Sequence, residues 1–136
     1  MEIYKNLYIE ADRARERSYS PYSGITVGAA LLTKDGGLYT GANIENASYT
    51  PTVCAERVAF FTAIHDGARE FSAIAIAGGK SGKAADADFV PCGVCRQVMA
   101  EFCSPDFKII TLGEDGDVVV RTLADMLPFS FDKSKL

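Results

Sequence analysis

Cys54 and Glu56 stand two residues apart in Thr52-Val53-Cys54-Ala55-Glu56-Arg57, and a second cysteine pair follows in Pro91-Cys92-Gly93-Val94-Cys95-Arg96. Three thiols and one carboxylate drawn from two separated segments suggest a catalytic zinc site, because three protein ligands leave one coordination position for water and a nearby acid can move protons. A closed structural site needs four ligands. Cys103 is the remaining cysteine, but it falls about 12 Å from Cys95 along the same predicted helix at 1.5 Å per residue, too far to share one ion easily. For Cys54 taken alone an ordinary buried thiol is a common alternative; the proline followed by C-x-x-C weakens it sharply.

Three thiolates around Zn²⁺ carry a net charge of about −1, which blunts the metal's acidity unless something compensates. Arg57 and Arg96 each directly follow a motif, and one or both can donate hydrogen bonds to the thiolates, the alternative being surface ion pairs. Glu56 early in a helix also suits the helix dipole as a plain capping or exposed glutamate. Beside an open metal position the same carboxylate is placed to take a proton from water and deliver it to a substrate.

The elements that must position these groups follow from periodicity. Ile3, Leu7, Ile9, Ala11 and Ala14 recur at helical spacing, so a first amphipathic helix runs over Ile3 to Ala14 and ends before Ser20-Pro21. Ile25 to Thr33 is an apolar, partly β-branched run, Lys34-Asp35-Gly36-Gly37 has hairpin turn chemistry, and Leu38 to Ala42 pairs back. Asn43 to Pro51 fits neither period and reads as a loop. Cys54 to His65 is apolar on every side, the pattern of a helix buried within the domain. Phe71 to Ala77 reads as an interior strand, Gly78 to Asp88 as a surface loop, Gly93 to Cys103 as a helix, Phe107 to Leu112 and Val118 to Val120 as strands, and Leu123 to Leu127 as a short helix. The order α-β-β-α-β-α-β-β predicts a three-layer α/β/α domain around a five-stranded mixed sheet. Both cysteine motifs then fall at helix N-termini, where orphan N–H groups and the positive dipole end favour thiolates.

The chain of 136 residues, 48% of them hydrophobic, is long enough for one domain (1–136) with its own core. A net charge of −4 and no basic run argue against nucleic acid as a partner. No stretch approaches the roughly 20 apolar residues of a membrane span, and the first segment lacks the apolar core of a signal peptide. A cytoplasmic location with reduced, metal-binding thiols is the expectation, two disulfides being the reading for a secreted chain. His65, the only histidine, falls about three turns from Cys54 and reads as a helix-end or core residue. Lys80 and Lys83 match no phosphate-binding loop.

Cys-Ala-Glu-Arg at 54–57 followed by Pro-Cys-Gly-Val-Cys-Arg-Gln at 91–97 resembles the zinc nucleoside deaminases, and Ser20-Pro-Tyr-Ser, Val27-Gly-Ala-Ala-Leu and Asn43-Ile-Glu-Asn narrow the likeness to the cytidine deaminase family, from about Ser20 to Phe131. The resemblance implies zinc-dependent hydrolysis of cytidine and deoxycytidine to the uridine products with release of ammonia, in pyrimidine salvage. It implies one zinc per subunit on Cys54, Cys92 and Cys95, with Glu56 moving protons between water, the ring N3 and the departing amine, and Arg57 balancing thiolate charge. By the same likeness Asn43 and Glu45 hold ribose hydroxyls, and backbone groups around Ala55 and Val90-Pro91 read the base edge. The likeness further implies that Ala47 and Tyr49 meet the sugar's 5′ end across a subunit boundary and that Phe131 reaches a neighbouring subunit within a homotetramer. The sequence departs from the family pattern at Ile25, where a phenylalanine usually stacks on the pyrimidine, at Phe129, where small residues are common, and at Val90, where serine is commoner. Two other readings stand beside it: a related deaminase acting on a modified cytosine nucleoside or nucleoside antibiotic, and a non-catalytic zinc-binding interaction module, in which Glu56 has no purpose.

Overall fold

Small residues on one side of the central strands and large ones on the other decide how the layers assemble. In the computed structural model, which describes residues 1–136, the elements in chain order are α1 (Glu2–Ala14), β1 (Ile25–Thr33), β2 (Leu38–Ala42), α2 (Ala55–His65), β3 (Phe71–Lys80), α3 (Gly93–Phe102), β4 (Lys108–Leu112), β5 (Val118–Thr122) and α4 (Leu123–Met126). Single 3₁₀ turns follow α1 at Arg15–Arg17 and close the chain at Lys133–Lys135. The five strands form one sheet in the order β2-β1-β3-β4-β5. β3 and β4 are parallel and the other pairs antiparallel, so the sheet is mixed as the element order predicts.

Along β3 the side chains alternate as a pleat requires. Ala73, Ala75 and Ala77 pack with Leu7, Tyr8 and Ala11 of α1, while Ile74 and Ile76 pack with Ala59, Phe60 and Ala63 of α2 and Met99 of α3. α1 therefore covers one face and α2 and α3 the other. The alanines let α1 lie close to the sheet, and at Gly28 the approach is closest: a Cβ there would stand 1.9 Å from the Ala11 carbonyl oxygen and 2.8 Å from the Arg15 nitrogen. α2 approaches the opposite face in the same way, since a Cβ on Gly41 would meet the Ala55 carbonyl oxygen at 2.5 Å and the Ala59 nitrogen at 2.6 Å. Phe60 anchors α2 among Phe71, Phe107 and Phe102, with ring centroids at 5.2, 6.0 and 6.3 Å.

The structure corrects the expected loop at Gly78 to Asp88. Its first three residues extend β3, pairing Gly78 with Val27, Gly79 with Thr26 and Lys80 with Ile25. The two glycines are not turn residues; they clear room for groups that press on the strand from both sides. The Phe89 ring lies against Gly78, and the Ala84 carbonyl and the Arg15 guanidinium lie against Gly79. Arg15 is buried and fastens this corner, donating to the carbonyl oxygens of Thr26 at 3.0 Å, Lys80 at 3.2 Å and Lys83 at 3.0 Å. The Asn43 to Pro51 loop is held at Ile44 by two isolated bridges, to Tyr19 and to Val53.

Gly28→Ala is expected to lower unfolding free energy by about 2 kcal/mol or more, because the contact is with backbone that cannot turn aside. Urea denaturation followed by circular dichroism measures it, and an unchanged midpoint would contradict the close packing of α1.

Candidate metal and nucleoside site

Two helices begin on the same patch of the sheet face. Cys54 is the N-cap of α2 and Cys92 the N-cap of α3, each with extended backbone, while Cys95 stands in the first turn of α3. The three Sγ atoms lie within 4.8 Å of one another, and those of Cys54 and Cys92 are 3.8 Å apart. Zn–S bonds of about 2.3 Å place the sulfurs of a tetrahedral site about 3.8 Å apart, so this donor set fits a zinc ion. Cys103 ends α3 at the other end of the helix and is no member of the cluster; burial pushes its thiol up to about 12. His65, the last residue of α2, is exposed.

The electrostatics of the cluster follow from its partners. A hydrogen bond from Cys95, helped by Arg57 and Cys92, holds the Cys54 thiol down to about 5, and Cys95, the donor of that bond and itself buried, is raised. Arg57 Nη2 lies 3.5 Å from both Cys54 Sγ and the Thr52 carbonyl oxygen, so the guanidinium faces the charge the ligands accumulate. Arg96 departs from the reading in which it too serves the thiolates. Its Nε donates to the Pro91 carbonyl oxygen at 2.8 Å and its Nη1 to that of Met126 at 2.8 Å. It clamps the segment before Cys92 to the end of α4, because an arginine one residue past Cys95 on the helix points away from the sulfurs.

Glu56, in the first turn of α2, is only 4% exposed. Burial pushes its carboxyl up to about 7, and the charge on Cys54 acts in the same direction; a cation held by the thiols acts in the opposite one. A carboxyl tuned to this range gives and takes protons near neutrality. Ala55 is fully buried, and as the first helical residue its N–H has no partner within the helix.

A cleft of about 270 Å³ is lined by Tyr22, Ser23, Glu45, Tyr49 and Thr52. Glu45 Oε1 accepts from the backbone N–H groups of Tyr22 at 3.0 Å and Ser23 at 3.1 Å, and its Oε2 from Ser23 Oγ at 2.5 Å. These donors, the Ser23 hydroxyl foremost, hold the carboxyl below the usual glutamate range. Asn43 is buried, and its Oδ1 accepts from Ser18 Oγ at 2.6 Å and the Val27 N–H at 2.9 Å while Nδ2 donates to the Ile25 carbonyl oxygen at 2.9 Å. One Nδ2 hydrogen stays free for a ligand.

Glu45 and Tyr49 therefore share one cleft, and Asn43 is tied to β1 through Val27 and Ile25. Ile25 is half-buried against the apolar cluster that contains Ala55 and Cys95. Ala47 is exposed in the loop before Tyr49. Phe131 is 61% exposed on the tail and lines no part of the cleft; its carbonyl oxygen accepts from Gln97 Nε2 at 2.7 Å. Sequence reasoning did not single out Ser18 and Ser23 as residues that orient Asn43 and Glu45. Each lies more than twenty positions from its partner, and the serine-rich run Ser18-Tyr19-Ser20-Pro21-Tyr22-Ser23 was the only hint.

Residues 1–111 match the family described as the cytidine and deoxycytidylate deaminase zinc-binding region. The chain belongs to this family. It is 46% identical over 136 residues to a cytidine deaminase of Sporosarcina psychrophila, spanning all of this chain and 96% of that protein. It is 48% identical over 122 residues to a cytidine deaminase of Halalkalibacterium halodurans, spanning 90% of this chain and 89% of the other. The crystal structure of a cytidine deaminase from Burkholderia pseudomallei superimposes with a TM-score of 0.84 at 44% identity, covering 93% of this chain and 98% of that one. The family resemblance and the α/β fold inferred from the sequence both hold.

Replacing Arg57 with Ala removes the guanidinium beside Cys54 and is expected to weaken zinc binding by about 10- to 100-fold. Competition with a chromogenic chelator measures the affinity; an unchanged constant would leave Arg57 without a part in the metal site.

Proposed function

We propose that this protein is a zinc-dependent cytidine deaminase, hydrolysing cytidine and 2′-deoxycytidine to uridine and 2′-deoxyuridine with release of ammonia, as in pyrimidine salvage. The observation that carries the reading is a buried carboxylate, Glu56, in the same helical turn that begins with a thiol of the three-sulfur cluster. Relatives named cytidine deaminase that span nearly the whole chain support it.

Cys54, Cys92 and Cys95 would hold the zinc ion, which when bound supplies Lewis acidity for a water molecule attacking C4. Glu56 accepts a proton from that water and returns it at the ring N3. As the C4–N4 bond breaks, the carboxyl carries the second proton to the departing nitrogen, so that cytidine and water become uridine and ammonia. The Ala55 N–H and the backbone at Val90-Pro91 meet the base edge. The free Nδ2 hydrogen of Asn43 donates to a sugar hydroxyl, and Glu45, held ionised by Ser23, accepts from one. Arg57 offsets the charge of the thiolates.

The chain acts as one catalytic domain over residues 1–136 and assembles as a cytoplasmic homotetramer with one zinc per subunit. Exposed Phe61, Val94, Phe129 and Phe131 are apolar surface of the kind subunit contacts cover. Three thiols that must stay reduced suit a reducing compartment, and no helix is long and apolar enough to cross a membrane.

Purified protein should contain about one zinc per chain and convert cytidine to uridine with stoichiometric ammonia. Glu56→Gln should keep its zinc and lose at least about 100-fold in kcat, because the ligands survive and proton transfer does not. A zinc-loaded wild type inert towards every cytosine nucleoside sinks the assignment, and a fully active Glu56→Gln sinks the role of the acid. Sedimentation equilibrium should give about four times the 14.6 kDa chain mass; a monomer at micromolar concentration would refute the tetramer.

A further inference from the structure

The pairing of β1 with β3 sets Val27 opposite Gly78 and Ile25 opposite Lys80. Gly78 brings no side chain to the face that carries the thiols, and the ring of Phe89 takes the place of one. A Cβ on Gly78 would stand 2.5 Å from both Cδ1 and Cε1 of that ring. A ring seated on Gly78 is directly beside Val27 across the ladder and diagonal to Ile25, within reach of an aromatic side chain. Phe89, Ile25 and Cys54 all pack on the cluster that holds Val27, Ala55 and Cys95. The surface running from β1 to the sulfurs is thus walled by two aliphatic residues and one aromatic ring.

The ring is also held in place and left partly open. The Asp88 N–H donates to the Leu112 carbonyl oxygen at 2.8 Å on one side, and Arg96 Nε holds the Pro91 carbonyl oxygen at 2.8 Å on the other. Phe60 and Phe107, the rings that serve packing alone, are 0% and 2% exposed, whereas Phe89 is half-buried. A ring fixed by its neighbours yet only half-buried, next to a site that must hold a flat heteroaromatic base, suits a stacking partner.

We propose that Phe89 is a specificity-determining residue of this site, supplying the aromatic face on which the pyrimidine ring of the nucleoside stacks while Ile25 and Val27 complete the wall. The inference rests on the nucleoside deaminase reading above and adds to it the residue that selects a planar base.

Binding of uridine and of 5,6-dihydrouridine, whose saturated ring cannot stack, tests the proposal by isothermal calorimetry on zinc-loaded wild type, Phe89→Leu and Phe89→Tyr. Wild type should bind uridine more tightly than dihydrouridine. Phe89→Leu should weaken uridine about 2- to 10-fold and leave dihydrouridine within about twofold, and Phe89→Tyr, which keeps the ring, should retain the wild-type ratio. An unchanged ratio in Phe89→Leu overturns the proposal, as does an equal loss of both ligands accompanied by a lower melting temperature, which would make Phe89 a packing residue. Cytidine turnover by the wild type separates the two readings: turnover with an unchanged ratio removes Phe89 alone, whereas no turnover and no binding of either ligand removes the deaminase reading and this inference with it.

Discussion

Two helix N-termini meet at a sulfur–sulfur distance of 3.8 Å, and most of the architecture on that face of the sheet serves the meeting. Cys54 and Cys92 both end extended segments and cap helices, and Cys95 follows in the first turn of α3, so all three thiols are brought together at two helix starts. α2 reaches the required depth because Gly41 lets its first turn touch β2. α3 reaches it as the crossover between the parallel strands β3 and β4, with Cys95 and Met99 buried against the sheet. Moving either helix by a side chain's width would separate the thiols.

Gathering acidic groups in one place raises a second problem, that of like charges in a partly dry pocket. Three thiols at two helix starts and a carboxylate two residues past one of them repel when ionised, and the protein answers with one fixed cation and with burial of the carboxyl. Arg57 stands against Cys54, while burial holds the Glu56 carboxyl above the usual glutamate range. The cleft around Glu45 uses the opposite device. Glu45 is kept ionised by three donors from Tyr22 and Ser23, so the two glutamates, eleven residues apart, are driven in opposite directions by burial on one side and hydrogen bonding on the other.

Much of the fold was legible because the apolar pattern and the local chemistry agree. β1 and β2 occupy the residues their alternation and the Lys34-Asp35-Gly36-Gly37 turn predict, and both cysteine motifs start helices as their spacing suggests. Gly78-Gly79 misled because glycine marks both turns and close approaches, and the groups that demand it, Phe89 and Arg15, lie 11 and 64 positions away. Arg96 could not be told from Arg57 by sequence, since both follow a motif directly; the helical angle at which each leaves its cysteine separates them. The thiol cluster was foreseeable from ligand spacing. The hydroxyls of Ser18 and Ser23 that orient Asn43 and Glu45 were not, because long-range hydrogen bonds leave no local pattern.

The division of the ligands between two helices also governs the order in which the chain can mature. Cys92 and Cys95 are neighbours along the chain, but Cys54 lies 38 residues earlier, on the far side of a central strand whose longest ladder runs back to β1. On a nascent or refolding chain Cys92 and Cys95 stand close together from the start, and Cys54 takes its place beside them when the non-local β1–β3 pairing has closed. The complete three-thiol cluster is therefore late to form and reports the finished sheet.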